Sequence, residues 1–136
     1  MAEKAKKPKI LESITILGKT YPLYLGFDFI RELDKKYPTD MDGFASGIGM
    51  LYVDLQRSSA LGVLNFIQAA TNTVKDKPSE EDIEQELINR DLGALSADFL
   101  QLFTASPLIR PQLEVFARLG QALMEAQKQE AEEKQA

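Results

Sequence analysis

The sequence contains no cysteine, no histidine and no tryptophan. Without cysteine there is no disulfide framework and no thiol nucleophile. That excludes the small disulfide-stapled secreted class and suits a reducing compartment. Without histidine the chain lacks the usual general base near neutral pH and the usual zinc ligand, and a Ser–His–Asp triad is impossible. Long hydrophobic runs are missing too. The longest apolar-leaning stretch, Ser59 to Ala70, is interrupted by Gly62, Asn65 and Gln68. It falls well short of the roughly 20 residues that span a bilayer, so no membrane association is expected. The N-terminus, Met1 to Lys9, is basic but leads into no apolar signal core.

What is present fits one ordinary globular domain. The chain has 136 residues, of which 44% are hydrophobic and 27% charged, a balance that supports a real core and argues against wholesale disorder. A chain of this size buries roughly two-thirds of its unfolded surface and needs no metal or cofactor to stay folded. The net charge of −5 is unevenly spread. Residues 1–10 carry four lysines against one glutamate, whereas residues 76–98 carry eight acids against Lys77 and Arg90. An acidic body repels phosphate backbones, so nucleic acid is not an expected partner. Residues 1–11 read as a solvated, disordered basic leader.

The pattern along the chain is mainly α, with an N-terminal β-hairpin followed by a bundle of about five or six helices. Ser13 to Leu17 alternates apolar and polar, Gly18-Lys19 supplies a turn, and Thr20 to Leu25 reads as the second strand. Pro22 restricts that strand to an edge or faces away from its partner. A first helix carries Phe27, Ile30, Leu33 and Tyr37 and stops near Lys36, ahead of Pro38. Gly43 to Gln56 places Phe44, Ile48, Leu51, Tyr52 and Leu55 on one stripe. A third helix, capped by Ser58 or Ser59, carries Leu61, Leu64 and Ile67, with Val63 able to join them. Ser79 ahead of Glu80, Glu81 and Asp82 marks a helix start that holds Ile83 and Leu87. Leu92, Leu95, Phe99, Leu102 and Phe103 form the next stripe. After Ser106-Pro107, either a short turn covers 107–110 or the last helix begins with Pro111 at its first position. The single helical domain with its hairpin is thus expected over 12–124. Residues 125–136 form a polar tail with no apolar face, expected to be frayed or disordered.

No catalytic constellation emerges. Glu80, Glu81, Asp82 and Glu84 cluster on an exposed helix start, where capping and solvation explain them. Gly43, Gly47 and Gly49 do not match a phosphate-binding loop; they read as close helix packing or a loose helix start. The functional signal lies in the last helix, where Leu113, Phe116, Leu119 and Leu123 step along one seam. Core packing suits Leu113 and Phe116 better, while Leu119 and Leu123 suit a partner equally well. A large apolar surface left exposed would mark an interaction site.

Several landmarks, in order, carry a resemblance. The run Ile14 to Leu25 leads directly into Gly26 to Lys36. A Gly-containing helix and a small-residue helix ending Ile67-Gln-Ala-Ala-Thr71 follow, then Lys77 to Ile83 and a helix closing on Ser106-Pro-Leu108. Over residues 12–110 the chain resembles the tail assembly chaperones of long-tailed phages with Gram-positive hosts. The order and spacing carry the resemblance, and no single motif does. It implies a non-enzymatic protein, without cofactors or catalytic residues, that keeps the tape measure protein soluble in the host cytoplasm and is absent from the mature virion. It further implies self-association into a homo-oligomer, contact with tail tube protein, and a frameshifted longer form joined near Glu125. The alternative expectation is a structural virion component, such as a head–tail connector or tail completion protein.

Overall fold

Alternation of Ile14 and Ile16 with Ser13 and Thr15 favours a strand. The computed structural model, which describes residues 11–37 and 47–135, pairs it with the residues that follow. β1 (Ser13–Ile16) and β2 (Lys19–Pro22) form an antiparallel hairpin with Ile14 opposite Tyr21 and Ile16 opposite Lys19. The turn residues are therefore Leu17 and Gly18, one position earlier than the Gly18-Lys19 turn that the sequence predicts. Both have positive φ, 48° and 84°, which is the type I′ geometry whose twist matches the strands. Ile14, Ile16, Tyr21 and Leu23 are buried, so one face of the hairpin closes against the helices. The Thr15 and Thr20 hydroxyls, 2.9 Å apart, bond across the other face. Pro22 has no N–H to give, and the pairing resumes where Leu23 N–H donates to the Glu12 carbonyl at 3.0 Å.

Among the described residues six helices follow, within the five or six that the pattern predicts: α1 (Phe27–Lys36), α2 (Gly47–Gln56), α3 (Ala60–Ala70), α4 (Glu80–Ile88), α5 (Leu92–Ala105) and α6 (Arg110–Gln135). Three starts are fixed by side-chain caps that satisfy otherwise unpaired N–H groups. Ser59, the second of the two candidates, accepts from Gly62 N–H at 3.2 Å, and Ser79 accepts from Asp82 N–H at 3.1 Å. Asp91 does the same for Ala94 N–H at 3.1 Å. The junction before α6 combines both sequence alternatives: a turn covers 107–109, and the helix starts at Arg110 with Pro111 in its first turn. Arg110 also reaches back to the carbonyls of Thr104 and Ala105, closing the end of α5. The basic leader and Phe44 lie outside the described residues.

α3 is the central element, packed against α1, α2, α4 and α5, and it is apolar around most of its circumference, as a helix covered on most sides must be. Its Phe66 ring stacks on Phe99 at 4.2 Å and meets Phe29 edge-on at 5.4 Å. Phe103 closes the cluster at 6.3 Å from Phe66 and 6.1 Å from Phe29. Two expectations are corrected here. Phe27 is 64% exposed and Phe29 takes its place in the core; Leu61 is 69% exposed while Val63 and Phe66 are buried. The other stripe residues hold: Leu33, Val63, Leu64 and Ile67 are buried, and Ile30 and Tyr37 pack against the core.

Close backbone approach explains one of the glycines. A Cβ on Gly47 would lie 2.6 Å from the Leu33 carbonyl carbon, so α1 and α2 touch where only glycine fits. A polar knot ties the same helices to α3. The Tyr37 hydroxyl donates to Asp54 Oδ2 at 2.8 Å and accepts from Asn65 Nδ2 at 3.0 Å. Burial, reinforced by Asp54 and opposed by the Asn65 bond, pushes the Tyr37 phenol up to about 12.

α6 continues to Gln135 across the segment for which the sequence predicts fraying or disorder. The described side chains from Met124 to Ala131 are exposed, so this stretch holds its helix on the high propensity of Ala, Glu, Gln and Lys alone. Among the described residues no single helix is long and apolar enough to cross a membrane.

Removing the shared ring should be costly: Phe66→Ala is expected to lower unfolding free energy by about 3–5 kcal/mol, read as a fall in the urea midpoint. Leu17→Asn should act oppositely. It relieves a leucine held at positive φ and creates the preferred Asn-Gly turn, raising stability by about 1 kcal/mol in the same assay.

Candidate functional site

The four residues singled out on the last helix do not share one environment. Leu113 is buried and, with Ile109, anchors the base of α6 in the core. Phe116 is half-buried, its ring lying on Gly49 of α2 so closely that a Cβ there would come within 2.6 Å of Phe116 Cδ2. Gly47 and Gly49 thus serve close helix packing, and Gly43 lies outside the described residues. Leu119 is 44% exposed, and the side chain of Leu123 lies outside the described residues. Val115, one turn before Leu119, and Met124 are also exposed. The i, i+4 spacing of Val115 and Leu119 was readable in the sequence, but the seam drawn through Phe116 hid it.

A second apolar surface lies where α3 and α4 meet. Leu61, Leu64, Leu87, Ile88 and Leu92, with Glu84, line a groove of about 490 Å³ between α3 and α4. Ile88 is 80% exposed. Sequence reasoning missed this groove because it assigned Leu61 to the core and assigned Ile88 nothing. The available signal was Ile88 itself, an isoleucine one position off the Ile83–Leu87 stripe of an otherwise acidic helix.

Arg90 and Glu86 fix the hairpin to α4 beside this groove. Arg90 Nε donates to Glu86 Oε2 at 2.8 Å and Nη2 to the Thr15 carbonyl at 2.8 Å. The Leu17 N–H, freed by the turn, donates to Glu86 Oε1 at 2.8 Å. The Arg90 bond first, and the Leu17 N–H second, hold the Glu86 carboxyl below its ordinary range. The exposed acids Glu80, Glu81 and Asp82 surround the Ser79 cap at the other end of α4. Among the described residues no group of three acidic, histidine or cysteine side chains is placed to hold a metal ion.

Exposed aliphatic side chains on rigid helices, framed by carboxylates, make a surface for contact with another protein. Residues 13–117 match the family model described as phage tail assembly chaperone protein, TAC, and the chain belongs to that family. The match spans the hairpin, α1 to α5 and the Leu113–Phe116 base of α6, and it stops before Leu119. No curated protein and no solved structure is significantly similar to the chain.

The clip generates a pH prediction. Because Glu86 has a depressed folded-state pKa, its contribution is present above the ordinary glutamate value and is lost as pH falls through the folded one. Glu86→Gln should therefore cost about 1 kcal/mol at pH 7, discounted for partial exposure. The gap to the parent chain should begin to narrow as pH falls below the ordinary glutamate value of about 4.3, measured by urea unfolding across pH.

Proposed function

We propose that this tail assembly chaperone has the tape measure protein as its client and holds it through α6. The observation that carries this reading is the exposed apolar stripe that α6 presents where it leaves the core, Val115 and Leu119 one turn apart. Leu113 and Phe116 act as the inward half of the same seam, fixing the helix so that Leu119 and Leu123 meet the partner. A tape measure protein is long and helical, and its apolar stripes aggregate when bare. Helix-on-helix contacts cover such stripes, while the chaperone's net charge of −5 keeps the complex dispersed. Moderate affinity per copy suffices when many copies bind one chain, and it permits release as tail tube protein polymerises. The chaperone acts by contact rather than catalysis, in the host cytoplasm, and does not remain in the finished particle. Self-association through the same stripe, and a frameshifted longer form that joins tube protein to client, complete the proposal.

Co-expression with the tape measure protein from the same genome, followed by pull-down, tests this reading. Soluble co-purification is expected, and Leu119→Asp with Leu123→Asp should reduce the recovered complex by about tenfold. Recovery indifferent to both changes would remove α6 as the binding surface. No complex, with the chain present in purified virions, would replace the chaperone reading with a structural component.

A further inference from the structure

We infer that the groove between α3 and α4 is a second docking surface, and that it takes an amphipathic helical segment with two aliphatic side chains one turn apart and a flanking lysine or arginine. This rests on the chaperone reading for its client, but not for its chemistry. Leu61 and Ile88 stand on opposite walls, 69% and 80% exposed, above a floor of the buried Leu64 and Leu87. Both exposed residues sit on helices pinned by their own cores, Val63 and Phe66 on α3 and Ile83 on α4, so neither can turn inward to hide. A paired aliphatic anchor from another chain would cover them together.

The charge around the groove selects the flank. Glu84 is the acid that lines it, while Glu80, Glu81 and Asp82 stand exposed at the far end of the same helix and do not line the groove. Arg90 is the cation that lines the groove, and its guanidinium is engaged by Glu86 and the Thr15 carbonyl. The net field at the rim is therefore negative. A segment with acids beside its leucines is repelled, one with lysines is drawn in, and the discrimination weakens with salt. A second copy of this chain is the poorer occupant, since it brings a net charge of −5 of its own.

The test uses the full chain, isotopically labelled, and two alanine-rich helical peptides of about 16 residues with leucines at i and i+4. One peptide carries lysines beside the leucines, the other glutamates. The lysine peptide is expected to shift the amides of Leu61, Ile88 and Leu92 and to bind at least about tenfold more tightly than the glutamate peptide. Ile88→Ser and Leu61→Ser, each at an exposed position and each checked for an unchanged melting temperature, should weaken the lysine peptide about tenfold. Leu119→Asp should leave it unaffected. Equal binding of the two peptides, shifts confined to α6, or indifference to both groove variants would overturn the proposal. So would self-association of the parent chain that Ile88→Ser abolishes, which would assign the groove to a second copy. The same variants in the tape measure pull-down separate the two readings. Recovery by the parent chain that neither groove variant reduces would sink the groove as a client surface and leave the chaperone standing. No recovery by the parent chain would sink the chaperone reading, and the peptide titration alone would then decide the groove.

Discussion

Four phenylalanine rings meet where α1, α3 and α5 cross, and Phe66 is the ring the other three share. Three helices from distant parts of the chain are referenced to that one side chain. Edge-on and stacked contacts of this kind have preferred geometries, so the cluster sets angles as well as supplying burial. Around it the remaining joints are local: the Tyr37–Asp54–Asn65 knot ties α1, α2 and α3, and the Glu86–Arg90 clip ties the hairpin to α4. The body is therefore a rigid frame in which exposed apolar side chains are held outward because their neighbours are committed inward.

That frame was partly legible in the sequence, and the pattern of failure is physical. The hairpin, the count of helices and the caps at Ser59 and Ser79 follow from local chemistry, and local chemistry is what a sequence displays. On α1 the spacing of Phe27, Ile30, Leu33 and Tyr37 fails at Phe27 alone: the core takes Phe29 and Leu33, and Ile30 and Tyr37 pack against it. Five apolar residues crowd that short helix and its C-terminal edge, so periodicity admits two overlapping stripes, and only the position of α3 chooses between them. α3 is harder still. Nearly every residue from Ala60 to Ala70 is apolar or small, so no spacing marks an outside, and the one large residue left exposed, Leu61, looked like core. The turn slipped by one position because leucine is a poor resident of the left-handed region, and glycine drew the turn toward itself.

The candidate surfaces show the same division. Leu113, Phe116 and Leu119 fall on one helix, as their spacing requires, yet a spacing cannot say where a helix leaves the core. Here the exit lies between Phe116 and Leu119, and it is decided by Gly49, a residue more than sixty positions away in the chain. The groove was invisible for a related reason: its walls come from α3 and α4, and a surface made by two elements has no signature in either. Family membership fixes the kind of work this protein does, while the exposure of α6 and of the groove is a property of its packing.

The seat of Phe116 on Gly49 has a mechanical consequence. α6 is 26 residues long, held by its first two turns. From Phe116 to its end it runs for about 29 Å at the ordinary helical rise. A pivot of about 10° at that seat sweeps the tip through about 5 Å, close to one helical pitch. The glycine that lets the ring come this close thus fixes where the free length of the helix begins, and a small change of angle at that seat becomes a much larger sideways displacement at the far end.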